Sequence, residues 1–307
     1  MTTMEAALIA VRLGQYLGSA ALFGGALLLA RQPTFMVESG ERGVLLAASL
    51  LLALSTVAAL FVQSANMAGE TSPFGAPSMV AMVLTGTGFG YATVVRALAT
   101  VAAMTLLGRG ATRRVLWIVT GLAAVATASL AWGGHAVSDD GARGLVHLGG
   151  DILHLLAANA WIGALGVLLI MARGARSSPA TPRAERLLLA LAGFAGLGTT
   201  AIAVLIVSGL SNAWFLIGVG HLDALTTTRY GELLLAKLAV FAAMLGLAGV
   251  NRWRLTPALA AAVSARHDAG GATARLTASV TFETALAVVV VLIVSWLDTL
   301  SPPGTGS

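Results

Sequence analysis

An all-α, polytopic membrane protein of about eight spanning helices is the fold class this sequence predicts. Three observations carry that reading. Of 307 residues, 57% are hydrophobic and only 10% charged, where a soluble domain carries roughly 25% charged residues. The mean hydropathy is +0.88, so a bilayer rather than water is the natural solvent. Apolar runs of about 20 residues, enough to cross ~30 Å of hydrocarbon, recur along the whole chain.

The runs lie near 7–30, 43–66, 88–108, 115–134, 146–172, 187–216, 230–250 and 278–299. The first is long enough to span and has no A-x-A-like cleavage site near its end, so it reads as a helix and not as a signal peptide. The fifth and sixth are long enough to tilt or protrude. Basic residues fix the expected orientation. The first, third, fifth and seventh links hold thirteen arginines, among them Arg109, Arg113, Arg114, Arg183 and Arg186; the second, fourth and sixth hold only Arg143 and Arg229. Odd links are therefore expected on the cytoplasmic side and both termini on the periplasmic side. The same arrangement accounts for the net charge of +5 and removes the reason to invoke nucleic acid.

An internal echo supports an even helix count. LTGTGFGYATVVR at 84–96 and LTTTRYGELLLAK at 225–237 align at an offset of 141, matching Thr87 with Thr228, Gly90 with Gly231 and Arg96 with Lys237. The chain then reads as one membrane domain, 1–307, made of two parallel four-helix repeats, 1–140 and 141–307.

Cysteine is absent, which excludes disulfides, thiolate metal sites and iron–sulfur clusters. Histidine and methionine remain as ligands. His135 closes the fourth run, and His147, Asp151 and His154 follow at i, i+4 and i+7 in the fifth, within an arc of roughly 60° on one helix face. A polar stripe of this kind is either satisfied by neighbouring helices or holds a metal, with the carboxylate as ligand or as acceptor for an imidazole N–H. Imidazole suits copper, zinc, iron and nickel alike. Met67, at the expected outer end of the second helix, and the more distant Met79 and Met82 tilt the choice toward Cu(I), although methionine is also ordinary packing material. His221, beside Asp223, and His267 read as loop histidines. Arg96, Lys237 and Glu283 are buried charges that each need an acid, a carbonyl or water. Arg12 can reach the interface by snorkelling.

The segment RYGELLLAKLAVFAAMLGLAGVNRWRLTPAL, 229–259, closely resembles a signature of the CopD family of bacterial copper-homeostasis proteins. ARLTASVTFETALAVVVVLIVSWLDTLSPP resembles the family's last helix, and the AANAWIGAL and QSANMAG stretches resemble its central and second helices. The resemblance implies an inner-membrane protein that moves copper from the periplasm toward the cytoplasm. The copper would come from a separate periplasmic CopC-type protein. His135, His147 and His154 would be copper ligands, with Asp151 and Met67 as weaker ones, and Lys237, Asn251 and Glu283 without assigned roles. Asp298 departs from the small or apolar residue expected there. Copper is expected to pass between the two halves. No Walker motif or nucleophile–base arrangement stands out, so neither an ATP-driven pump nor an enzyme is expected. A haem-b electron carrier and a non-transporting copper sensor or assembly scaffold are the rival readings.

Overall fold

The computed structural model describes residues 2–33, 37–133, 141–177, 181–216, 223–265 and 269–302. His135, His221 and His267 lie outside these residues. The described residues form eleven α-helices and no strand, and eight rods among them are long and apolar enough to cross a membrane. The protein is an all-α, polytopic membrane protein.

The elements are α1 (Thr3–Ala30), α2 (Ser39–Met67), the short α3 (Met79–Gly86), α4 (Gly88–Arg109) and α5 (Arg113–Ala128), which ends in a 3-10 turn, Ser129–Gly133. Then come α6 (Gly141–Ser177), α7 (Thr181–Leu216), the one-turn α8 (Ala224–Thr227) and α9 (Arg229–Val250). A π segment, Asn251–Leu255, joins α9 to α10 (Thr256–Ser264), and α11 (Gly270–Leu297) closes the described spans. The seventh rod therefore runs on to Ser264, beyond the end expected near residue 250. Its charged NRWR stretch reads as a link, yet the backbone stays helical: the amide of Thr256 bonds to the Asn251 carbonyl across the π segment, and Pro257 follows in the first turn of α10. Residues 3 and 297 share one face of an eight-crossing bundle, here termed the terminal face.

The centre of the bundle is the α1–α6 pair. About 67% of the most apolar stretch of α1 and 61% of that of α6 are buried, against 6% for the seventh rod, which places α9 at the rim. Glycines allow the central crossing. A Cβ on Gly163 would fall 1.8 Å from the carbonyl oxygen of Ala20, and one on Gly24 would fall 2.3 Å from that of Asn159. With no hydrophobic drive between helices in lipid, such backbone contact is a principal source of association. Asn159 adds polar bonds to Ser19 (3.1 Å) and Thr127 (3.4 Å).

The segments echoed in the sequence share one local geometry. Thr87 and Thr228 are both extended N-caps, at φ −130°, ψ 150° and φ −118°, ψ 151°. Each hydroxyl donates 2.7 Å to a carbonyl of the preceding short helix, Val83 or Ala224, and accepts from the amide of Gly90 (2.9 Å) or Gly231 (3.1 Å). A Cβ on either glycine would meet the same carbonyl oxygen at 2.1 or 2.2 Å. The surroundings then diverge. α2 packs along α4, whereas α7 and α9 scarcely touch, and cavities fill the space between them.

At the opposite face the arginines close helix ends. Arg42 donates to the carbonyls of Leu107 and Gly108 at the end of α4 (2.8 and 2.7 Å), and Arg113 to that of Gln32 (2.6 Å), where unpaired carbonyls and the helix dipole attract a cation. Arg186 bridges Glu41 (2.6 Å) and Glu38 (3.2 Å), tying α7 to the start of α2.

Candidate metal and transport site

Near the terminal face, α1, α6, α7, α9 and α11 enclose a cavity of about 140 Å³ lined by Tyr16, Asp151, His154, Asn212, Tyr230, Lys237 and Asp298. The stripe expected on α6 delivers two of these residues, Asp151 and His154. Asn212 of α7 donates to Asp151 at 2.5 Å. Tyr16 of α1 donates to Asp298, just beyond the end of α11. Lys237, one-third of the way along α9, faces the same space. It forms no ion pair within 4.0 Å among the described residues, and its charge lies close enough to interact with Asp298 and Asp151.

The hydrogen bonds favour one tautomer of His154. Nδ1 lies 3.0 Å from Ser208 Oγ, and the single Ser208 proton is already donated to the carbonyl of Val204 at 2.6 Å. Ser208 therefore accepts, Nδ1 carries the proton of the neutral ring, and Nε2 keeps its lone pair. A ring nitrogen held as a donor to a second residue, with the other left basic, is the usual arrangement of a metal-binding histidine.

His147, on the same stripe one turn before Asp151, is buried and stacked on Phe215, with ring centroids 4.7 Å apart. It lies near Asp151 but does not line the cavity. Met67 is 51% exposed at the end of α2, away from this group. Arg96 is fully buried elsewhere, donating to Ser129 Oγ (3.0 Å) and to the Ser129 carbonyl (2.8 Å) at the end of α5. Among the described residues, its sequence counterpart Lys237 has no such carbonyl. Arg12 departs from simple snorkelling: its Nη1 is buried without a hydrogen bond. Among the described residues, no three His, Asp or Glu side chains converge closely enough to hold a metal ion by themselves.

Two further cavities continue inward. One of about 320 Å³ shares Tyr16, His154 and Lys237 with the first and adds Asn159, Trp161, Phe241 and Met244. The other, about 580 Å³, shares Trp161 and reaches Thr199, Asn251, Arg252 and Glu283. Trp161 stands edge-on to Phe241 at 5.7 Å and separates the two. All three cavities lie among α6, α7, α9 and α11, with α1 contributing Tyr16.

Residues 1–145 match the family model for the copper resistance protein D-like N-terminal domain, and residues 188–297 match the one for copper resistance protein D. Copper resistance protein D of Pseudomonas syringae pv. tomato is 32% identical over 305 residues, covering 96% of both chains. The chain belongs to the copper resistance protein D family. The inner membrane protein YebZ of Escherichia coli (strain K12) is 30% identical over 56% of the chain and 55% of its own. The copper transport protein CutJ of Bacillus subtilis (strain 168) is 33% identical over 33% of the chain and 18% of its own. No solved structure matches.

Tyr16, Asn212, Tyr230 and Asp298 are the residues of this family member's chamber that sequence reasoning did not place. Asp298 stood out as a departure from the family pattern. Tyr16 had no signal, because its role depends on α1 crossing between α6 and α11.

Proposed function

We propose that this family member takes copper at the terminal face, holds it in the chamber of Asp151, His154 and Asp298, and passes it across the membrane. The terminal face would be periplasmic and the membrane the bacterial inner membrane. A periplasmic CopC-type protein would be the donor, with His135, His147 and Met67 receiving the ion before the chamber. The observation that carries this reading is His154: its ring is held by Ser208 so that Nε2 stays basic, in a membrane-embedded chamber with two carboxylates.

The cavities favour a route among α6, α7, α9 and α11 of the second half, with Tyr16 of the first half lining its outer part. Met244 supports copper as the cargo, since its buried thioether lines the next cavity inward and suits Cu(I) better than harder ions. Lys237 would supply the positive charge that keeps two buried carboxylates tolerable while no metal is bound, and an arriving cation would take over that role. The matched caps at Thr87 and Thr228 support two parallel four-helix halves, 1–140 and 141–307, of which the second carries the route.

Copper binding and uptake test this reading with purified protein in proteoliposomes. Wild type should bind copper and accumulate it inside the vesicles, while His154→Ala with Asp151→Asn should lose both and keep its helical content. Unchanged binding in the double variant would overturn the site. Binding without accumulation would leave the scaffold reading in place of transport.

A further inference from the structure

Glu283 lies midway along α11, fifteen residues from Asp298, or about 22 Å of helix rise deeper than the terminal chamber. It is 1% exposed, and Asn251, its partner, is 8% exposed. Asn251 Nδ2 donates to Glu283 Oε2 at 2.8 Å. The other two oxygens, Glu283 Oε1 and Asn251 Oδ1, are buried without a hydrogen bond among the described residues; the Trp161 indole is the other donor group near the carboxylate. Both side chains line the 580 Å³ cavity. Asn251 also opens the π segment, a helix distortion frequent at functional sites.

Among the described residues, the pair thus leaves two acceptor oxygens without a hydrogen bond and has no cation beside it. Arg252 lines the same cavity but is engaged with the Ala195 carbonyl (3.2 Å) and Thr199 Oγ1 (2.7 Å). Of the other elements packed on α11, α10 brings only Thr256 to this cavity, α6 brings Trp161, and α1 brings no ionisable side chain. A charged, unpaired carboxylate at this depth is costly. Two open oxygens are too few to replace the hydration shell of a metal cation, and oxygen donors are a poor match for Cu(I). They suffice for a proton on Oε1.

We propose that Glu283, positioned by Asn251, is a proton-carrying site that couples copper movement to proton movement. The step makes and breaks one O–H bond. Oε1 accepts a proton from water entering the large cavity and returns it to water, with no change in oxidation state. This inference rests on the transport reading, but the site itself can be tested without transport.

Infrared difference spectroscopy on purified protein across a pH titration should show a protonated-carboxyl band that is absent in Glu283→Gln and present at a shifted frequency in Glu283→Asp. Replacing potassium by sodium should leave it unchanged. In proteoliposomes an imposed pH gradient should accelerate copper uptake by wild type, and Glu283→Gln should fall to the rate seen without a gradient while still binding copper. No Glu283-dependent band, a sodium-dependent band, or undiminished gradient response in Glu283→Gln would each overturn the proposal. If wild type takes up no copper, the transport reading fails, while the infrared band still reports on the proton site.

Discussion

The chemistry of the terminal chamber is decided by small polar contacts around each ionisable side chain. Ser208 is one example: it accepts a hydrogen bond from His154 because its own proton is donated to the carbonyl of Val204. Ser208→Ala should lower copper affinity about 10–100-fold, the usual cost of losing a group that orients a metal-bound imidazole, with no loss of helicity; competition titration against a copper chelator measures it. The sequence made His154 and Asp151 legible because an i, i+3 spacing places both on one face of α6. It could not reveal Ser208 or Asn212, which are ordinary residues on α7, 54 and 61 positions downstream. His147 shows the limit from the other side. It shares the stripe, yet it stands one turn before Asp151 along the helix, where its ring stacks on Phe215 instead of lining the cavity.

Individual helices owe their positions to glycine and to caps as well as to their apolar content. Gly163 is the tightest point of the α1–α6 crossing. Gly163→Ala should separate the two helices and lower the melting temperature in detergent, at a cost of about 1–3 kcal/mol or more for overpacking. Gly166→Ala, one turn along the same helix with open space around it, should be neutral or slightly stabilising through helix propensity. The caps at Thr87 and Thr228 are the elements whose kinship the sequence displayed directly, because a threonine that caps and a glycine that admits a carbonyl are fixed in residue type by geometry. The seventh rod was harder to bound. Charged residues normally end a span, and the π segment that carries them through as helix leaves no simple sequence mark.

For the whole molecule, the arginine distribution has two physical readings that act together. Arg42, Arg113 and Arg186 close helix ends or bind acids at the face opposite residues 3 and 297, and arginine-rich links also favour the cytoplasm. The absence of native cysteine allows a direct check. Thr2→Cys should react with a membrane-impermeant thiol reagent in intact spheroplasts, and Arg109→Cys should react only after permeabilisation; the reverse pattern would invert the orientation proposed above.

The sequence by itself determined the solvent, the helix count and the family, because these follow from composition, run length and motifs that each act locally. It also singled out Asp151, His154, Lys237 and Glu283, since a charge inside an apolar run is conspicuous wherever the run ends up. Only the tertiary structure decided which of these residues share a chamber, that Tyr16 and Asp298 join them, and that the cavities run beside α9. Those outcomes depend on how closely helices distant in sequence approach one another. That approach is set by glycine contacts and cross-helix hydrogen bonds, which hydropathy along a single chain does not encode.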